Sequence, residues 1–271
     1  MAQGNDQLSL FDSHCHLNFS DFDTDRAKVL SQAKKESVSH LCIPATKHQE
    51  WLSLIKESEV ISKESSVSVV TALGLHPWFI AEHSLEQLDV LDKLLKQRPS
   101  IVVAIGETGL DFFDRNITPQ AKNKQLTLFT GHVKLACLHQ IPLIIHSRKS
   151  HDEILKVLRK FKPESTGIIH AFSGSEQQAK EYLKLGFKLG FGGGITYPRA
   201  SKTRHLAATL PIDSIVLETD APDMPLNGYQ GERNEPGRVK QVAECLAELR
   251  GISLMEVAEA TSHNCRTLFR I

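Results

Sequence analysis

The sequence predicts an α/β protein, a single (β/α)8 barrel of the TIM type spanning residues 1–271, with a metal site at the C-terminal ends of its strands. Three observations carry this. Eight short aliphatic or β-branched runs recur along the chain, segments of helical periodicity separate them, and histidines and carboxylates stand at the ends of the runs. A chain of 271 residues with 41% hydrophobic content is long enough to bury one large core, and barrels of this kind typically take about 250 residues.

The first run, 8–11, leads into Asp-Ser-His-Cys-His, and a helix is expected over 25–36. If the strand continues to residue 16, alternation puts His14 and His16 on one side as a chelating pair and Cys15 on the other. The second run, 40–43, precedes a helix at 51–62. The third, 67–73, is rich in valine, stops at Gly74, and is followed by a helix at 85–97. The fourth, 101–105, leads to a helix at 119–139, where Thr118 is a suitable N-cap and Pro119 a favoured first-turn residue. The fifth, 143–145, precedes a helix at 153–161, with Ser150 ahead of it and Asp152 and Glu153 at the positive end of its dipole. Runs at 166–169, 187–191 and 215–217 alternate with helices at 176–185 and 202–210, and helices at 236–249 and 253–269 close the chain. No linker rich in Pro, Gly or Ser divides it. An open doubly wound sheet would want a glycine fingerprint after the first strand, where histidines stand instead.

The 32 basic and 32 acidic residues cancel, which argues against a protein that coats nucleic acid through a global positive field. Any phosphate-bearing substrate must be held locally. Cys15, Cys42, Cys137, Cys245 and Cys265 are odd in number and lack CxxC spacing, which fits a reducing compartment. Residues 1–10 show neither the basic nor the apolar region of a secretory leader, and no apolar run approaches the roughly 20 residues of a membrane span. The expectation is a soluble cytoplasmic protein without membrane contact and with no obligate protein partner evident.

Six residues are the candidate ligands: His14 and His16 after the first strand, Glu107 after the fourth, His146 after the fifth, His170 after the sixth and Asp220 after the eighth. In a barrel, functional groups gather at those ends. Four imidazoles and two carboxylates exceed what one ion needs, so a two-metal hydrolytic centre is the economical reading. Each residue alone has a plainer role, as a polar strand end, a core histidine, an ion-pair partner or a turn residue. Together those roles require unrelated coincidences.

Six blocks spread over the chain resemble the TatD family of metal-dependent deoxyribonucleases, within the wider amidohydrolase-like barrels. They are Phe11-Asp-Ser-His-Cys-His-Leu, Gly74-Leu-His-Pro, Ala104-Ile-Gly-Glu-Thr-Gly-Leu-Asp, Pro142-Leu-Ile-Ile-His-Ser-Arg, Ile169-His-Ala-Phe-Ser-Gly and Leu217-Glu-Thr-Asp-Ala-Pro. The stretch 220–228 resembles the YjjV-type branch in particular. Ala171 departs from the family pattern, as does Asp223-Met224, and the second departure bears on substrate choice.

The resemblance implies that His14, His16, Glu107 and Asp220 hold one ion and that Glu107, His146 and His170 hold the second, with Glu107 bridging. The cofactors would be two divalent cations, zinc or magnesium, with manganese also compatible. The implied partner is DNA, single-stranded or at an end, cleaved as a phosphodiester. Asp220 is the candidate general base as well as a ligand, and Glu218, two residues earlier and deeper, is expected to support the ligands.

His76 is expected to contact a phosphate or leaving group, and Arg148 to fork onto a phosphate. Ser173, before Gly174, and Arg233, in a polar loop at 233–236, are further substrate contacts. Trp78, Phe79, Phe112 and Phe113 either stack on bases or pack in loops. Lys122, Lys124, Lys149, Arg199, Lys202 and Arg204 either track a strand or are solvated helix charges. The remaining histidines are expected on surfaces or in helix packing. Two rival functions stay open: a small-molecule amidohydrolase or phosphatase on the same barrel, and a non-catalytic metal-binding interaction protein.

Overall fold

A computed structural model describes residues 8–97 and 99–271. Residues 1–7, part of the stretch read above for a leader, lie outside the described residues. An eight-stranded parallel sheet runs β1 (Leu10–Asp12), β2 (Val38–Pro44), β3 (Ser68–Leu73), β4 (Val102–Asp111), β5 (Leu143–Arg148), β6 (Gly167–Ile169), β7 (Lys188–Phe191) and β8 (Ile215–Leu217), each strand beside the next in sequence. The ring is completed at β8 by backbone bonds: Ser13 N–H donates to Leu217 O at 2.9 Å and Asp220 N–H to His14 O at 2.9 Å. This is the (β/α)8 barrel that the alternating runs predict.

Helices α1 (Arg26–Lys35), α2 (Trp51–Glu64), α3 (Gln87–Lys96), α4 (Pro119–His139), α5 (His151–Phe161), α6 (Glu176–Lys184) and α7 (Ser201–Thr209) fill the crossovers, and α8 (Val239–Arg250) and α9 (Leu254–Phe269) follow. Thr118 caps α4 by accepting Ala121 N–H at 3.1 Å, and Ser253 with Glu256 forms a capping box at α9. Ser150 stands ahead of α5, which starts at His151, two residues earlier than the expected 153, and its hydroxyl donates to Leu110 O at 2.7 Å with no side-chain cap on the helix.

Alternation along the strands builds two layers. On β2, Leu41 and Ile43 pack outward on the helices, while Cys42 joins an inner cluster with Phe11, Val70, Val103, Ile144, Ile168 and Val216. α9 sends Cys265 and Phe269 into that inner cluster, and its Asn264 bonds to Ile215 O, where β8 begins. One end of the barrel is therefore plugged by apolar groups, and the other end carries the polar ones. No helix among the described residues is long and apolar enough to cross a membrane.

Three boundaries correct the sequence expectation. β1 stops at Asp12, so His14 and His16 leave the sheet on irregular backbone rather than on a strand. Glu107 lies inside β4 and His146 inside β5, because both strands continue past their apolar runs into polar, inward-facing residues.

Candidate metal centre

Asp12 ties the two ends of the ring together. Its fully buried carboxylate accepts Thr219 N–H at 2.9 Å, Thr219 Oγ1–H at 2.6 Å and His14 N–H at 3.3 Å, so the segments bearing His14 and Asp220 are set by one side chain. Burial pushes its acid group up to about 8, against those hydrogen bonds. Asp220 follows in left-handed backbone, φ +57°, a conformation that costs a non-glycine residue and turns its carboxylate back over the barrel.

His14 and His16 bring their Nε2 atoms within 3.2 Å of each other. Glu107 Oε2 lies 3.0 Å from the first and 3.4 Å from the second, and Asp220 Oδ1 lies 3.6 and 3.7 Å from them. His16 donates Nδ1–H to Pro44 O at 3.2 Å, which leaves a lone pair on Nε2. Ligand atoms about 2.0–2.2 Å from one ion stand about 3.0–3.5 Å apart in tetrahedral or octahedral arrangement. The His14, His16 and Glu107 atoms fall in that range, and Asp220 Oδ1 lies slightly beyond it in a group with the two histidines that could hold one cation. Glu107 Oε2 is buried with no hydrogen-bond donor aligned to it, as expected of an oxygen whose partner is a cation.

The other oxygen of Glu107 faces a second group. Oε1 lies 3.0 Å from His146 Nδ1 and 3.9 Å from His170 Nε2, and His170 Nε2 lies 3.6 Å from Asp220 Oδ2. Each imidazole has a carboxylate on its far nitrogen. Asp111 Oδ2 sits 3.1 Å from His146 Nε2, and Glu218 Oε1 sits 3.1 Å from His170 Nδ1 while also accepting Ala171 N–H at 2.7 Å. Such partners orient the rings and favour a proton on the far nitrogen, so the facing nitrogen binds an ion once it has given up any proton of its own. Gly190 makes room for this arrangement, since a Cβ there would overlap Glu218 Oε2.

His76 joins the same cluster, with Nε2 3.0 Å from Glu107 Oε1 and 3.2 Å from His146 Nδ1. Its Nδ1, however, accepts Trp78 N–H at 3.0 Å. The neutral ring therefore carries its proton on Nε2, which makes that atom a donor toward Glu107 rather than an electron pair for a cation.

Charge balance in the cluster follows burial and neighbours. Burial would lower His170, but Glu218, Asp220 and Glu107 outweigh it and raise the ring to about 10. Burial and the neighbouring His170 hold His14 well below the usual histidine range. Glu107 is pushed up by burial, but His76, His14 and His170 together hold it well below the carboxylate range, and burial raises Asp220 to about 6.

A cavity of about 640 Å³ opens over these groups and is lined by His76, Arg148 and Ser173 together with His16, Glu107, His146, His170 and Asp220, while His14 lies fully buried beneath it. Arg233 is a correction. Its guanidinium is held by Asp25 at 2.7 Å and Glu235 at 3.0 Å and lies 4.6 Å over the Phe22 ring, outside the cavity lining. Asp111 escaped the sequence reading, although it stands four residues after Glu107 on one strand, a spacing that puts both on the same face.

A family model described as TatD related DNase matches residues 11–270. The chain is 42% identical over 260 residues to the uncharacterized metal-dependent hydrolase YjjV of Escherichia coli K12, covering 96% of this chain and 97% of that one. It is 34% identical to the uncharacterized metal-dependent hydrolase YabD of Bacillus subtilis, over 97% of this chain and 99% of the relative. The crystal structure of YjjV, a TatD homologue, superposes with a TM-score of 0.90 at 41% identity, covering 97% of this chain and 98% of that one. With the candidate metal-binding groups, the barrel and the motif blocks all in agreement, the chain belongs to the TatD family of metal-dependent hydrolases.

Proposed function

We propose that this hydrolase is a phosphodiesterase acting on DNA, at an end or on a single strand, with two divalent cations held by His14, His16, Glu107, His146, His170 and Asp220. The observation that carries it is the division of Glu107, one oxygen 3.0 Å from His14 Nε2 and the other 3.0 Å from His146 Nδ1. The DNA substrate is supported by the description of the matching family model, TatD related DNase. Bound divalent cations supply Lewis acidity and lower the pKa of a bound water, the chemistry that a phosphodiester displacement needs.

The side chains divide the remaining work. Asp220 is the most exposed of the six, with 16% of its side chain open against 11% or less for the others, so it is the one placed to take a proton from the attacking water. His76 lines the cavity with its one N–H, on Nε2, directed at Glu107 Oε1, and would turn that hydrogen to a phosphate oxygen once a cation takes up the Glu107 charge. Arg148 contributes the positive charge that a neighbouring phosphate requires where the chain as a whole is neutral. Glu218 and Asp111 hold His170 and His146 in orientation and touch no substrate.

The test is metal-reconstituted protein incubated with single-stranded oligonucleotides labelled at either end, with bis-p-nitrophenyl phosphate and with a panel of amides. Diester cleavage that Asp220→Asn abolishes is the expected result. Turnover of amides alone, or tight metal binding without turnover, would overturn the proposal.

A further inference from the structure

Two large aromatic side chains stand in solvent beside the cavity. Trp78 is 65% exposed and Phe113 57% exposed. Between them lies Arg148, its guanidinium centre 4.1 Å from the Phe113 ring centroid and 5.8 Å from that of Trp78. Each aromatic is pinned to the candidate centre through its backbone: Trp78 N–H donates to His76 Nδ1 at 3.0 Å and Phe113 N–H to Asp111 Oδ1 at 3.0 Å. Arg148 follows His146 by two residues on β5 and lies 3.7 Å from Asp111. The three side chains are thus keyed to His76, Asp111 and β5, and not to the core.

The trough does not end at the ligands. A second cavity of about 520 Å³ shares Arg148 and Ser173 with the first and adds Phe113 and Lys149. Asp152 and Glu153 also line it, so a polyanion entering it is favoured to keep its phosphates near Arg148 and Lys149. Flat apolar faces beside fixed positive charge, continuous with a hydrolytic cavity, match a strand that alternates bases and phosphates.

We propose that Trp78, Arg148 and Phe113 form a stacking platform for a nucleobase beside the bond to be cut, so that the site selects a base-bearing strand over a bare sugar–phosphate chain. This rests on the phosphodiesterase reading above. The base lies against Trp78 and the guanidinium plane, and the strand continues past Phe113 into the second cavity.

The chain itself provides the probe. Trp51 is buried and bonded to Gly74 O, whereas Trp78 is open, so a base stacking at the platform quenches Trp78 fluorescence. The metal-loaded protein is titrated with cleavage-resistant phosphorothioate oligothymidylate and with an abasic chain of the same length and linkage. Stacking of one base predicts roughly 5- to 150-fold tighter binding of the thymidylate chain, with quenching. Trp78→Leu should remove the quenching and bring the ratio near one. Phe113→Leu should lower the ratio while the quenching persists, and thermal melts check that both variants fold. Equal affinities for the two chains in the unsubstituted protein would overturn the platform while leaving the phosphodiesterase reading intact. Failure of that protein to cleave or bind any oligonucleotide would instead overturn both.

Discussion

Glu107 and Asp220 divide their oxygens in the same way. Oε2 and Oδ1 face the His14–His16 pair, while Oε1 and Oδ2 face His170, at 3.9 and 3.6 Å. Two carboxylates that straddle the same two groups of imidazoles make the groups one unit, so a change at either carboxylate is felt at both.

Glu107→Gln keeps the shape and removes the charge. It should lower metal content from two ions per chain to one or none and reduce diester turnover by roughly a hundredfold or more, beyond the 10- to 100-fold typical of losing an outer partner. Metal analysis by mass spectrometry after gel filtration, beside initial rates, checks this. Full metal content in the variant would contradict it.

Glu218 acts through His170, and Gly190 leaves it the room to do so. Glu218→Gln and Gly190→Ala should each weaken metal affinity by roughly 10- to 100-fold without unfolding the chain. Competition with a chromophoric chelator reads this directly, and an unchanged affinity in both variants would remove Glu218 from the account.

Arg233 belongs to an ion-pair network with Asp25 and Glu235, outside the cavity. Arg233→Gln should therefore leave KM for an oligonucleotide within roughly twofold, whereas Arg148→Gln should raise it by roughly tenfold, as expected for loss of one charge-assisted contact. A large KM effect at Arg233 and none at Arg148 would reverse the placement.

His132, remote from the ligands in α4, is fully buried, and its Nδ1–H donates to Leu128 O at 2.8 Å. Burial pushes its pKa down from 6.5 to about 4. The unfolded chain then binds the extra proton first, so stability is fully present above about pH 6.5 and is lost as pH falls toward 4, by about 3 kcal/mol at most. His132→Leu should flatten that part of the stability–pH profile in urea unfolding, and an unaltered slope would show that other groups set it.

The barrel was legible because its apolar runs and helical periods alternate without interruption. α4 and β8 begin and end where the pattern puts them. β4 and β5 outran the pattern, since Glu107, Asp111 and His146 continue the ladder with polar groups that hydropathy reads as loop. His14 and His16 converge for a different reason than alternation on a strand, namely that Asp12 grips Thr219 and the His14 backbone together. Arg233 was misplaced because sequence shows a cation in a polar loop but not the Asp25 carboxylate that claims it from across the fold. The proton on His76 Nε2 likewise depends on a backbone N–H two residues away, which no residue pattern displays.

Anomalous diffraction from crystals of the manganese- or zinc-loaded protein locates the ions that Glu107 is expected to share. Two peaks about 3.5–4 Å apart with a Glu107 oxygen on each are the predicted result. A single peak, or two peaks that do not share Glu107, would contradict it.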